Sequence, residues 1–175
     1  ISVNFAINDY TIVSTSGANG SISPSGSMPV SHGSNQKFTI TPDTGYHIVS
    51  VITDKGTAGE QNQGSVSEYT FTNVTSSHTI EATFAIDIFT ITPTSGANGS
   101  ISPAIQVTVN YGDNQKFTMM PDTGYHISQV LVDNLPVAIL DSKGFDYTFT
   151  SVTANHTISV NFAINDYTIV STSGA

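Results

Sequence analysis

The sequence contains no cysteine and no arginine, and it sets only four lysines against thirteen acidic residues, for a formal net charge of -9. Without cysteine there are no disulfides, no thiol nucleophile and no cysteine-ligated zinc. Without a basic footprint the chain is not built to hold nucleic acid, and anionic membrane surfaces repel it too. No apolar run approaches the ~18 residues that a bilayer-spanning helix needs. Nucleophile-elbow and phosphate-loop patterns are missing, and no acidic pair stands in an otherwise apolar setting, so the chain reads as non-enzymatic. No initiator Met and no charged-then-apolar leader stand at Ile1. The first residue already falls in a strand-like pattern, so the sequence reads as a window on something longer. Ser, Thr, Asn and Gly are plentiful instead, which suits an extracellular or cell-surface β-rich protein.

What is present is periodic. SGANGSISP at 16–24 returns at 95–103, NQKFT at 35–39 returns at 114–118, and PDTGYHI at 42–48 returns at 121–127, each shifted by 79 residues. YTFT at 69–72 and HTI at 78–80 return shifted by 78, so one residue is lost between Ile48 and Tyr69. Self-similarity at a fixed period is the mark of repeat architecture. It divides the chain into modules at 9–87 and 88–165, flanked by the last strand of a preceding module at 1–8 and the first strand of a following one at 166–175. The opening eighteen residues, ISVNFAINDYTIVSTSGA, are also the closing eighteen, whereas the stretch at 80–97 agrees with them at only 10 positions. Alternate modules are thus more alike than neighbours, as expected of a two-module unit copied in tandem.

Within each module the apolar period is two. Tyr10 and Ile12, Phe38 and Ile40, Tyr69 and Phe71, and Val107, Val109 and Tyr111 alternate with polar residues, as half-buried strands require. In the last strand Ile80, Ala82, Phe84 and Ile86 face inward. The phase slips between Ile48 and Val51, and between Ile127 and Val130, which predicts a bulge or a helical turn. Asn-Gly at 19–20 and 98–99 predicts a tight hairpin. HGSN, YGDN and PDTG predict further turns. Pro29 marks its strand as a sheet edge. The expectation is an all-β chain of small antiparallel modules, β-grasp-like or sandwich-like, with six or so strands each.

The junctions FAIDIFTI and FAINDYTI leave about three residues between modules and hold no flexible Gly, Ser or Pro run. Phe84, Ile86, Ile88 and Phe89 at one junction, and Phe162, Ile164 and Tyr167 at the other, are the expected joint residues of a rod-like array in which thin-cored neighbours lean on one another.

The order of YTI, SGANGSISPSG, NQKFTITPDTGYHI, a VITD or VLVD strand, YTFTNV and HTIEATF resembles the divergent InlB B-repeat family, related to the Listeria–Bacteroides repeats. The resemblance covers both modules nearly end to end. It implies small β-rich, β-grasp-like modules in tandem on large secreted or surface proteins of bacteria and archaea, such as adhesins and stalks. The family offers no catalytic residues to carry over. The 54–67 stretch is longer than the family's usual hairpin.

Candidate sites are few. His47 and His126, like His78 and His156, recur symmetrically but at outward or strand-opening positions, where ordinary surface or turn histidines account for them and no metal is expected. Asp43, Asp122, Asp54, Asp133 and Asp113 read as turn caps, since no calcium-loop pattern contains them. If calcium bridged the modules, Asp87 and Asp166 at the junctions would be its ligands. No other cofactor is implied. Asn73, Asn155, Asn19 and Asn98 each open an Asn-x-Ser/Thr sequon; Asn73 and Asn155, whose next residue is not a turn glycine, are the better acceptors for N-glycosylation. Lys37 and Lys116 could in principle crosslink to Asn161 or a nearby Asp, although a solvated edge lysine explains them more simply.

These features predict a structural tandem-repeat segment of an extracellular filament, stalk or giant adhesin, acting as a stiff spacer. Its partners would be neighbouring copies of the module, joined covalently or by β-strand addition, with residues 1–8 of one subunit standing in for 158–165 of another. The alternative is an adhesive module for surface glycans or a receptor, with specificity in the variable loops 54–68 and 134–145.

Overall fold

The computed structural model describes residues 1–170 and divides the chain into two compact units, Ile1–Asp87 and Ile88–Ala175. Among the described residues there is no helix. The first unit runs β1 (Asp9–Ser16), β2 (Gly20–Ser23), β3 (Gly26–Ser31), β4 (Gln36–Pro42), β5 (Tyr46–Thr53), β6 (Gln61–Asn62), β7 (Glu68–Phe71) and β8 (His78–Ile86). The second runs β9 (Ile88–Ser95), β10 (Gly99–Ser102), β11 (Val107–Asn110), β12 (Gln115–Pro121), β13 (Tyr125–Val132), β14 (Leu135–Pro136), β15 (Phe145–Phe149) and β16 (His156–Ile164). Each module thus has eight strands where about six were expected.

Each module is a five-stranded sheet over a three-stranded one. The orders are β3-β1-β8-β5-β6 with β2-β4-β7 in the first module, and β11-β9-β16-β13-β14 with β10-β12-β15 in the second. Inward residues of both sheets share one core, in which Phe38, Ile12 and Val51 of the first module and Phe117, Met119, Ile91 and Val130 of the second are wholly buried. Alternation along each strand delivers these side chains to one face and leaves Thr and Ser on the other. The bulges fall where the period slips, with register shifts between Ile48 and Ser50 and between Ile127 and Gln129. Pro29 lies on β3, an edge strand as expected.

The chain is all-β and its sheets are mostly antiparallel, as expected, with one parallel pair in each larger sheet, β1 with β8 and β9 with β16. The first and last strands of a module lie side by side at the sheet centre, and the whole intervening chain acts as the crossover that a parallel pair demands. One expectation needs correction: the Asn-Gly turns are not hairpins. β1 and β2 belong to different sheets, so the turn carries the chain from one layer to the other.

In that turn Asn19 and Asn98 take the left-handed backbone, at φ 69 and φ 68, while the following glycine does not. The glycine is needed for a different reason. A Cβ at Gly20 would clash with the ring of Phe84, and one at Gly99 with the ring of Phe162, each about 2.4 Å from the nearest ring carbon. The aromatic ring of the last strand thus lies flat against bare backbone at the start of β2 or β10.

Overpacking of this kind costs about 1–3 kcal/mol. Gly20→Ala is therefore expected to lower the unfolding free energy of the first module by that amount, read as a lower urea midpoint with the slope of its transition unchanged. In a Phe84→Ala background the same change should be close to neutral, and equal effects in both backgrounds would refute the steric account.

Candidate functional site

An Asp, a His and a Phe that recur in both modules form a clasp between the end of the fifth strand and the start of the last. Asp54 and Asp133 follow β5 and β13 with φ 53 and φ 51, a left-handed geometry that Asp tolerates better than most residues. The Asp54 amide donates to the Thr79 carbonyl at 2.9 Å, and the Asp133 amide to that of Thr157 at 3.0 Å. One carboxylate oxygen accepts the return bond from the backbone N–H of Thr79 at 3.0 Å, or of Thr157 at 2.8 Å. The other meets Nδ1 of His78 at 2.8 Å, or of His156 at 2.7 Å. The imidazole then lies against a phenylalanine of the smaller sheet, with ring centroids 4.8 Å apart for Phe71 and His78 and 4.9 Å for Phe149 and His156. One histidine therefore ties a turn, the central strand and the opposite sheet together. Burial pushes the Asp133 carboxyl up, but the hydrogen bonds from His156 and Thr157 and the charge of the imidazole outweigh it and hold the group below its ordinary value.

In the first module Ser76 Oγ lies 3.3 Å from His78 Nε2, which completes a Ser–His–Asp sequence of contacts. A nucleophile also needs preorganised donors for the oxyanion and a seat for the acyl group. Ser76 stands exposed on a loop, and its counterpart in the second module is Ala154. The constant element is the His–Asp–Phe clasp, which braces the fold. Sequence reasoning had both partners but not their union; the signal was that Asp54 and His78 each recur on either side of the length change.

A second histidine contact closes the far end of the same strand pair. His47 Nδ1 lies 2.8 Å from Asp87 Oδ1, and His126 Nδ1 lies 3.1 Å from Asn165 Oδ1. Asp87, a candidate calcium ligand, is thus engaged by His47, and Asp166 lies in a cleft of the second module. Among the described residues no three His, Asp or Glu side chains converge as a metal site would require. The candidate joint residues Phe84 and Phe162 pack against the cores of their own modules, and Phe89 joins the second core, while Ile86 is half-buried. Ile88, Ile164 and Tyr167 are exposed.

The lysines sit on the outside of the smaller sheets. Lys37 pairs with Glu68 at 2.7 Å and Lys116 with Asp146 at 2.7 Å, all four side chains more than half exposed. Asn161 is occupied elsewhere, donating to Gln129 at 3.3 Å in the larger sheet. Of the sequon residues, Asn19 and Asn98 hold the layer-crossing turns, Asn73 is exposed at φ 50, and Asn155 accepts the Thr90 amide at 2.8 Å.

An open cleft of about 520 Å³ in the second module is lined by His126, Ser142, Lys143, Asn165, Asp166 and Tyr167. Residues 1–8 form no strand and are exposed throughout. The strand expected at 166–175 is not formed over 166–170, and its remainder lies outside the described residues.

A pair of tandem two-sheet modules, each closed by a parallel pair of first and last strands and braced by the same histidine clasps, defines a repeat protein. The profile of the divergent InlB B-repeat domain matches residues 10–88 and 89–166, and the chain belongs to that family. Among curated proteins none matches the chain.

The clasp sets an acid limit. A carboxyl held below its unfolded value contributes stability that is present above the ordinary carboxylate range and is lost as pH falls through the lower folded value. The second module should therefore lose urea resistance on acidification below about pH 4, and Asp133→Asn should remove part of that loss while lowering stability at pH 7. Identical acid profiles for the two proteins would show that the clasp carries no such stability.

Proposed function

We propose that the chain is a spacer segment in the repeat region of an extracellular surface protein, setting distance rather than binding a target. The supporting observation is the residue-for-residue repetition of strand order, bulge, clasp and Phe-on-Gly contact in both modules. Selection for a scaffold would produce that pattern, whereas selection for a ligand would single out one module's surface. The near absence of positive charge keeps such an array soluble and free of contact with anionic polymers.

One observation favours an adhesive reading. The cleft beside Tyr167 sets an exposed aromatic face among His126, Lys143, Asn165 and Asp166, the mixture that sugars engage. It has no counterpart built from the same residues in the first module, where 54–67 replaces 133–145.

Retention of the 175-residue chain on a glycan array separates the two. The spacer reading predicts no reproducible hit. Hits that disappear with Tyr167→Ala or Lys143→Ala would assign the adhesive role instead.

A further inference from the structure

The larger sheets of the two modules end on equivalent edge strands, β3 and β11, that are not protected alike. In the first module the His32 N–H donates to the Asn8 carbonyl at 2.8 Å, one step beyond the Asp9–Ser31 pair. Bonded and unbonded pairs alternate along an antiparallel ladder, so Val30 and Met28 also turn their N–H groups toward β1, while Ser27, Pro29 and Ser31 face outward. Pro29 has no N–H to offer, and a proline at such a place closes an edge to further pairing. A shift of 79 puts Thr108 in that place on β11. Thr108 is exposed, and its N–H and C=O both point away from β9.

A second replacement lengthens the open stretch. Ser14 pins the chain ahead of β3 by donating from Oγ to the carbonyls of Pro24 at 2.8 Å and Gly26 at 3.3 Å, and β3 pairs with β1 from Gly26 onward. The counterpart of Ser14 is Pro93, which has neither hydroxyl nor N–H, and β11 pairs with β9 only from Val107. Residues 104–106 therefore lack a ladder partner, and Ile105 is left 77% exposed. At the equivalent Gly26 a Cβ would also stand in open space, so the exposure belongs to this place in the module and not to an end of the chain. Among the described residues no other edge is as free. β7 and β15 carry Glu68 and Asp146, β6 and β14 are two residues long, and β10 starts on the glycine beneath Phe162 and runs into Pro103. From Ala104 to Tyr111 there is no charge, proline or glycine, in a chain of net charge -9.

We infer that β11 is a docking edge for β11 of a second copy, the two strands running antiparallel about a two-fold axis at Thr108. Only the register centred on Thr108 pairs all three outward-facing residues, Gln106, Thr108 and Asn110. Thr108 exchanges both backbone bonds with its own copy, and the Asn110 N–H donates to the Gln106 carbonyl across the axis. The Asn110 carbonyl stays with the Asp113 N–H at 3.1 Å. On the solvent face this sets hydroxyl against hydroxyl and amide against amide. On the core face it sets Val107 against Val109 and Ile105 against Tyr111, so the exposed isoleucine meets a half-buried aromatic ring. The nearest charge, Asp113, falls opposite Pro103, and no like charges meet. Each contact occurs twice, as an isologous interface requires, and with one open edge per chain the association stops at two. The inference goes beyond the spacer reading by giving one module of the pair a lateral contact that Pro29 denies the other.

The test is sedimentation of the 175-residue chain over a rising concentration series. The expected result is a concentration-dependent shift from 18.4 kDa to twice that mass. Thr108→Pro copies the edge of the first module, so it should keep both unfolding transitions and abolish the dimer. Ile105→Ser should raise the midpoint of association about tenfold. Because the chain has no cysteine, a single one reports the register. Thr108→Cys places two Cα atoms about 5.5 Å apart across the axis, within the span of a disulfide, and should crosslink on mild oxidation. Gln106→Cys, which lies opposite Asn110, should crosslink far less. A wild-type chain that stays monomeric, a Thr108→Pro variant that dimerises equally, or equal crosslinking from the two cysteine variants would each overturn the pairing. None of these results touches the spacer reading, which fails only on glycan retention.

Discussion

Each module depends on the parallel contact between its first strand and its last. β8 and β16 lie at the centre of their sheets, flanked by the first and fifth strands, so the residues that close a module come from the two ends of its sequence. The other devices are arranged along this strand. Its entry is fixed by the Asp–His clasp against a phenylalanine of the smaller sheet. Its middle carries the buried Ile80 and Ala82, or the equally buried Ile158 and Val160. Its exit is held by Phe84 or Phe162 on bare glycine and by the second histidine contact. A thin core of this size gains much from fixing one strand at so many points, because net stability is a small remainder of large opposing terms.

Much of the fold was legible in the sequence because strand alternation and turn chemistry are local. The inward rows of Phe38 and Ile40, the bulges after Ile48 and Ile127 and the edge position of Pro29 follow from neighbouring residues alone. The parallel pair was not legible, because no local pattern records which distant strand lies alongside. The Asn-Gly turn was misread for a related reason. Positive φ accounts for Asn19, but the glycine answers to Phe84, sixty-four residues away in sequence. The clasp was half visible, since Asp54 and His78 were each singled out for their recurrence and read separately as a turn cap and a strand-opening histidine. Only three dimensions place them 2.8 Å apart.

Comparison of the two modules separates what the scaffold requires from what it tolerates. The clasp, the bulge and the ring-on-glycine contact are constant. The connection from the fifth strand varies most: the first module uses a longer loop around Gly56 and Gly64, and the second a tight turn at Asp133 and Asn134, with φ 51 and φ 65. Two successive residues in the left-handed region suit the twist of a two-residue hairpin. The partner at the strand exit also varies, Asp87 in one module and Asn165 in the other, as does the buried residue at the strand centre, Ala82 against Val160. Adjacent modules thus keep one architecture while their central slots differ in size and polarity.

The central position of the final strand also governs the order of events during biosynthesis. A module emerging amino end first has its core-lining strands β1 to β7 available early, yet its larger sheet stays split until the closing strand arrives. Contacts of such long sequence separation form late and slowly. In a growing array the unfinished module is always the newest one, and completed modules behind it are sealed against pairing with its open sheet. Sequential closure of this kind limits the partly folded surface to a single module at a time, whatever the length of the chain.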